Sequence, residues 1–414
     1  MHKAILNQIK EQSKLKGAIT PCYNGLNLVN LSNTILDHFK AKAPNALLQK
    51  DLLPKDIFKD VKHIVLFVLD GLGYNQLLEF TKKNPSLHLK KIIEKDTCIP
   101  LTTVCPSTTA AALTSVNTAL TPTQHSMVGY NLFLKEFGAV SNMMQFKSLT
   151  SKENYTSLGV EPRGFFPIPT IYQRLLKQKV RAATLVPSDL ADSGLSQMTH
   201  FASEHLEYIS TAHMCTIMKK QLLTHKSKKT FTYMYTPLID ELSHGTGGKS
   251  DEVQAQIANI DFSLAYDLLN TKSIKDTLLL ITADHGFMKV DQKKIVHLLQ
   301  HEMIIDNLTM MPTGESRFVS LYVKQGKLEM VKRYCEEKFS KHAWIMTSRQ
   351  IIEMGLLGPA PVLQDTLDRL GDLILIPKED YVFSFKPGPT HMIGKHGGLT
   401  EDEMIIPLIA KHLG

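Results

Sequence analysis

Four short stretches of this chain hold side chains that bind metals. Asp70 ends the run HIVLFVLDGLG (63–73), and Asp240 and His244 stand as D-x-x-x-H in LIDELSHGTGG (238–248). Asp284 and His285 are adjacent in DTLLLITADHG (276–286), and His396 precedes a Gly-Gly pair in HMIGKHGGLT (391–400). Three carboxylates and three imidazoles with no thiolate make an N/O donor set that suits Zn²⁺ or a neighbouring transition metal. D-x-x-x-H can bring both side chains to one ion if its segment is helical. Singly, each residue has a plainer role: an Asp after a strand caps a helix, and a His before Gly sits in a turn. Their joint placement at the ends of buried apolar runs is what points to a metal centre.

A nucleophile is expected in LTTVCPSTTAAALTSVNTALTPTQHSMVGYN (101–131). Ser107, Thr108 and Thr109 lie at the mouth of the helix-forming run Ala110–Leu113, and any of the three can cap it. A helix N-terminus offers free N–H groups and positive potential, so it seats phosphate. Two ions about 4 Å apart could share an in-line displacement at phosphorus, with a hydroxyl of this cluster as nucleophile.

Strand ends must carry these groups. Ile64–Leu69 is an unbroken apolar run, as in the central strand of a parallel sheet. Arg181–Ser188, Phe231–Pro237 and Asp276–Gly286 read as further strands. Tyr172–Gln178, His205–Leu223 and Asp251–Asn270 read as helices. This alternation predicts an α/β fold: a doubly wound, mostly parallel sheet with helices on both faces. Residues 1–60 read as a polar helical extension packed on the core. Residues 61–290 and 388–414 read as the metal-binding catalytic core. Residues 291–387 break the rhythm and read as an inserted, smaller α+β cap, with strand-like pieces at Ser316–Val323 and Asp372–Ile376.

With 414 residues, the chain is long enough for a large α/β domain with an insertion. The net charge of +7 suits a small anionic substrate, and its lysines are too scattered for a nucleic-acid polymer. Five cysteines without close pairs indicate neither a disulfide framework nor a thiolate zinc site. No membrane span and no Sec-type signal is read, so the default expectation is cytoplasmic, with export by another route left open.

The ordered set VLDGLG, PSTTAAALTS, LTPTQH, DELSH, ADHG and GKHGG resembles the alkaline phosphatase superfamily. Within it, the set is most similar to the type I phosphodiesterase/nucleotide pyrophosphatase family. The resemblance covers about residues 60–290 and 390–410. It implies two metal sites, one of Asp240, His244 and His396 and one of Asp70, Asp284 and His285, for Zn²⁺ or alternatively Mn²⁺. It implies Thr109 as nucleophile and metal contact in preference to Thr108, because the family's eukaryotic members place the threonine three residues after a proline, here Pro106. In the pyrophosphatases a downstream Asn binds a phosphate oxygen. Here that position is Tyr130, and Asn131 is the substrate-binding candidate. His391 competes with His396, but GKHGG matches the family's last histidine turn. His125 matches a family interval but not a ligand position, and His63 reads as a strand flank.

The resemblance implies cleavage of a phosphodiester or pyrophosphate bond through a covalent threonine intermediate, with a nucleotide among the candidate substrates. The alternatives are a phosphomonoesterase or phosphonate hydrolase of the same superfamily, and a non-catalytic metal- or phosphate-binding protein. A sulfatase reading fails because Cys105-Pro106 lacks the C/S-x-P-x-R pattern. A cofactor-independent phosphoglycerate mutase would use serine and another ligand order.

Overall fold

A computed structural model describes residues 2–385 and 392–413. His391 and the expected boundary at 387–388 lie outside the described residues. The central sheet has seven strands: β1 (His63–Leu69), β2 (Thr97–Thr102), β3 (Arg181–Pro187), β4 (Glu204–Tyr208), β5 (Thr230–Thr236), β6 (Thr277–Thr282) and β7 (Ile405–Leu413). Their order is β2-β7-β6-β1-β5-β3-β4. β6, β1, β5, β3 and β4 run parallel, while β7 is antiparallel to both β2 and β6. The expected mostly parallel α/β sheet is therefore found.

β1, β5 and β6 are buried along their whole length, which is why each reads as an apolar or β-branched run. Parallel register sets Leu69 beside Thr236, and Val68 beside Thr282. The residues that follow these three adjacent strands therefore emerge side by side, at the edge where open α/β sheets bind ligands.

The segment expected to be helical over His205–Leu223 begins differently. Glu204–Tyr208 is an edge strand paired with β3, and the helix runs from Thr211 to Thr224. This strand is polar and largely exposed, so it has no apolar periodicity that would reveal it.

The first 60 residues contribute Ile5, Ile9, Leu28, Leu31 and Ile35 to the main apolar core. Asn27 Nδ2 donates to Thr103 O at 2.8 Å, and Ser32 Oγ donates to Val116 O at 3.0 Å. The first bond braces the chain before the Thr109–Thr118 helix, and the second braces the last turns of the helix itself.

Between residues 313 and 377 lies a four-stranded antiparallel sheet, in the order Thr313–Glu315, Phe318–Leu321, Leu373–Pro377, Ala343–Thr347. Its side chains alternate between two apolar clusters. Phe318, Ile374 and Ile376 join the main core, while Val319, Leu321, Leu373 and Leu375 face a second cluster with Leu298, Val331 and Phe339. Residues 131–148 form a three-stranded sheet. Among the described residues no helix is long and apolar enough to cross a membrane.

Candidate active site

Asp70 directly follows β1, and its N–H donates to Thr236 O at 3.1 Å, across to β5. Asp240 lies in the first turn of the Leu238–Thr246 helix, and His244 is one turn further on. Asp284 and His285 follow β6 in a turn closed by Gly286. A Cβ at Gly286 would stand 2.0 Å from Asp402 O, so only glycine fits there. His396 follows the short strand Gly394–Lys395.

These residues form one cluster, in which Asp70, Asp284, His285 and His396 are buried and Asp240 and His244 partly so. His285 Nε2 lies 3.5 Å from Asp70 Oδ1, 3.3 Å from Asp284 Oδ2 and 3.9 Å from Asp240 Oδ1. His396 Nε2 and His244 Nε2 each lie 3.6 Å from an Asp240 oxygen. Among the described residues two groups are compact enough to hold an ion: Asp70, Asp284 and His285, and Asp240, His285 and His396. The first is the set implied by the resemblance. In the second, His285 stands where His244 was expected, while His244 stays within reach of Asp240.

All three imidazoles have their tautomer set by a backbone carbonyl. His396 Nδ1 pairs with Ser107 O at 3.0 Å, His244 Nδ1 with Gly394 O at 3.1 Å and His285 Nδ1 with Gly286 O at 3.2 Å. A carbonyl only accepts, so each Nδ1 carries the proton and each Nε2 turns a lone pair toward the space it shares with the carboxylate oxygens, where a cation would be held. Burial is also the main cause that lowers the basicity of all three, His244 to about 4.

The carboxylates are held in a similar way. Asp284 Oδ1 accepts from Gly71 N at 3.0 Å and His285 N at 2.9 Å, and Tyr235 Oη donates to Asp70 Oδ2. Asp70 Oδ1, Asp240 Oδ1 and Asp284 Oδ2 are then left buried with no hydrogen-bond partner among the described residues. Among the described residues no Lys or Arg pairs with these three carboxylates. Burial, followed by the charge of Asp284, pushes the Asp70 and Asp240 carboxyls well above the usual range. Converging unpartnered carboxylate oxygens with free imidazole nitrogens are a donor set that divalent cations satisfy. The residues fit the metals that the resemblance implies.

Thr109 is the first residue of the Thr109–Thr118 helix, and its Oγ1 lies 3.2 Å from His285 Nε2. It lines a cavity of about 570 Å³ together with Asp70, Asp240 and Tyr130. Thr108 is fully buried and does not line that cavity. Asn131 does not line it either, and Tyr130 does. Asn131 begins the strand Asn131–Leu134, where neighbouring side chains face opposite ways. Its Oδ1 is buried without a partner among the described residues.

Three further roles escaped sequence reasoning. Ser107 Oγ donates to Gly398 O at 2.7 Å and accepts from Gly397 N at 3.1 Å, which ties the His396 turn to the threonine loop. Glu315, from the 313–377 sheet, accepts from Tyr130 N at 3.2 Å and lies 3.9 Å from His396 Nδ1. Burial raises its carboxyl to about 7. Arg317 forms a fully buried ion pair with Glu403, and Glu403 accepts from Gly398 N at 2.9 Å. Nothing in TGESR (313–317) marks these roles, because only the fold brings the segment to the histidine turn.

Residues 64–399 match the model of the type I phosphodiesterase/nucleotide pyrophosphatase family. The chain belongs to that family, and it is a metal-dependent hydrolase acting on phosphoric ester or phosphoanhydride bonds. Among solved structures it is similar to murine ectonucleotide pyrophosphatase/phosphodiesterase 5, with 16% identity, a TM-score of 0.64, and coverage of 84% of this chain and 87% of that one. An inactive threonine-to-alanine form of the murine protein, in complex with AMP, gives 15% identity, a TM-score of 0.62, and coverage of 84% and 87%. Phosphonoacetate hydrolase from Sinorhizobium meliloti 1021, in complex with phosphonoformate, gives 16% identity, a TM-score of 0.61, and coverage of 85% and 90%. No curated protein sequence matches significantly.

Proposed function

We propose that the chain is a two-metal phosphodiesterase or nucleotide pyrophosphatase that works through a covalent intermediate on Thr109. The observation that carries this reading is the position of Thr109. It starts a helix, opens on the cavity and lies 3.2 Å from a histidine within the carboxylate cluster. Asp70, Asp284 and His285 would hold one divalent ion, and Asp240, His396 and His244 the other, with Zn²⁺ first and Mn²⁺ second as candidates. When bound, the ions supply Lewis acidity that acidifies the hydroxyl and offsets phosphoryl charge.

The rest follows from the chain. Thr109 Oγ gives up its proton to solvent and forms a bond to phosphorus as the bond to the leaving oxygen breaks; that oxygen takes the electron pair and then a proton from solvent. The free N–H groups of the helix's first turn face the charge that builds on the phosphoryl oxygens. Water then attacks phosphorus opposite Thr109 Oγ and loses a proton to solvent, while Thr109 Oγ leaves with the electron pair and is reprotonated. Phosphonate hydrolysis is a second reading, favoured by the likeness to phosphonoacetate hydrolase over 85% of this chain.

Metal-loaded protein assayed on bis-p-nitrophenyl phosphate, p-nitrophenyl phosphate, a nucleotide p-nitrophenyl ester and phosphonoacetate tests this reading. Chelator should abolish diester cleavage, and Thr109→Ala should reduce it by at least about 10³-fold. Faster monoester cleavage would make the protein a phosphatase. Activity that survives Thr109→Ala would remove the covalent mechanism.

A further inference from the structure

The edge of the central sheet opposite Asp70 and Asp284 gathers charge that the sequence spreads out. Residues 55–62 lead into β1, 177–181 into β3, 226–229 into β5 and 272–276 into β6. These four stretches hold eleven Lys and Arg against three Asp. Their net charge exceeds the +7 of the whole chain, so the remainder is close to neutral. β6, β1, β5 and β3 are consecutive in the sheet, so the stretches lie side by side. Backbone hydrogen bonds join them. Lys62 N donates to Asp276 O at 2.9 Å, Thr230 N to Lys62 O at 3.0 Å and Arg181 N to Lys229 O at 3.0 Å. Neighbouring strands lie about 4.8 Å apart, so the row of strand starts is roughly 15 Å long. Every lysine in the four stretches is exposed. Lys62 pairs with Asp276 at 2.7 Å and Arg181 with Glu204, which leaves nine cations against Asp56 and Asp60. The charges of Arg181 and Lys228 add to burial in lowering the His225 pKa. Leu176, directly before the 177–181 stretch, is 60% exposed.

We infer that this edge is a docking surface for a bilayer that carries anionic lipid headgroups. The lysines stand on turns in one row, so their ammonium groups can meet a flat anionic surface together. Leu176 beside them supplies an apolar side chain for the boundary between headgroups and acyl chains. A nucleic-acid polymer would use the cations and leave the leucine in water, so the bilayer accounts for more of the surface. Docking by this edge also fixes where the catalytic edge lies. β1 has seven residues, so the metal cluster stands about 23 Å from the lysine row. A small anionic substrate would then reach Thr109 from solution rather than from the lipid. The inference does not depend on which phosphorus compound is cleaved.

Sedimentation of metal-loaded protein with lipid vesicles tests this. One set of vesicles is phosphatidylcholine, and the other contains about one-quarter phosphatidylserine. In about 0.1 M salt, wild type should bind the phosphatidylserine vesicles at least about tenfold more tightly, and about 1 M salt should remove the preference. Lys226→Gln with Lys228→Gln and Lys229→Gln should weaken that binding by about tenfold or more. Leu176→Ser should weaken it by about threefold or more. Lys327→Gln with Lys338→Gln and Lys341→Gln removes as much charge from exposed positions in the 313–377 region, and should leave binding within about twofold of wild type. No preference for phosphatidylserine, equal losses in the two triple variants, or full binding by Leu176→Ser overturns the inference. So does a single-stranded RNA that binds more tightly than the vesicles in the same salt, which would make the edge a nucleic-acid surface. Melting curves of each variant check that it is folded.

Discussion

The carbonyl of Ser107 accepts a hydrogen bond from His396 Nδ1 at 3.0 Å, across 289 residues of chain. The loop that leads into Thr109 therefore fixes which nitrogen of His396 faces Asp240. The Ser107 hydroxyl adds two bonds to the backbone of the same turn, at Gly397 and Gly398. Nucleophile loop and histidine turn are thus fastened as one unit.

Ser107→Ala should loosen that unit without touching a ligand. It leaves a buried Gly397 N–H and Gly398 carbonyl without their side-chain partner, which costs about 1–3 kcal/mol in stability. Metal affinity should also fall, by about tenfold or more. Competition against a chromophoric chelator measures the affinity, and urea denaturation the stability. Unchanged metal affinity would mean that the turn is held by other contacts.

Acid stability should depend on His125. Met127 N–H donates to its Nδ1 at 3.0 Å, so its proton is on Nε2, which bonds Ser115 Oγ at 2.9 Å. Protonating Nδ1 would set two donors against each other. Burial, and then the charge of Arg369, lowers the folded-state pKa to about 3, against 6.5 for a free histidine. Between these values the unfolded chain binds the extra proton and the native state does not. Stability from this group is complete above about pH 6.5 and is lost as pH falls toward 3, by a few kcal/mol at most. His200 is lowered to about 3 by burial and adds to the same slope. His125→Gln should flatten the fall in denaturation midpoint between pH 6.5 and 4, compared with wild type.

Asp70, Asp240 and Asp284–His285 were legible because the apolar runs before them are buried strands, and parallel strands present their ends at one edge. The turn glycines and the helix start at Thr109 were legible for the same local reason. Glu315, Arg317 and the link from Ser107 to the His396 turn were not. Each meets the site only through tertiary packing, and a lone Glu at the end of a short strand has no sequence pattern that announces it. The edge strand Glu204–Tyr208 was hidden by its polarity, and residue type favoured Asn131 where the count of positions had placed Tyr130, the residue that lines the cavity.

Arg317→Met should destabilise the protein strongly. Arg317 and Glu403 are both fully buried, with Arg317 Nε at 2.9 Å from Glu403 Oε1. Removing the cation leaves an uncompensated carboxylate that also holds Gly398 N and Thr400, at a cost of about 3–5 kcal/mol. A loss below about 1 kcal/mol in urea denaturation would show that Glu403 becomes neutral or solvated instead.

Metal removal should unsettle the cluster, and Tyr235 should limit how far. Without a cation, the unpartnered oxygens of Asp70, Asp240 and Asp284 face one another in a buried space. A saturating divalent ion at about 100-fold its Kd adds roughly 2.7 kcal/mol, so chelator should lower Tm by several degrees. Tyr235 Oη holds Asp70 Oδ2 and leaves Oδ1 for the ion. Tyr235→Phe should therefore weaken metal binding by about 10–100-fold and shrink the Tm gain at a fixed sub-saturating metal concentration. Scanning Tm against metal concentration for wild type and variant separates the two effects. A curve displaced to higher metal with the same plateau means lost affinity. A plateau lowered by the same amount with and without metal means that the phenol only packs the core.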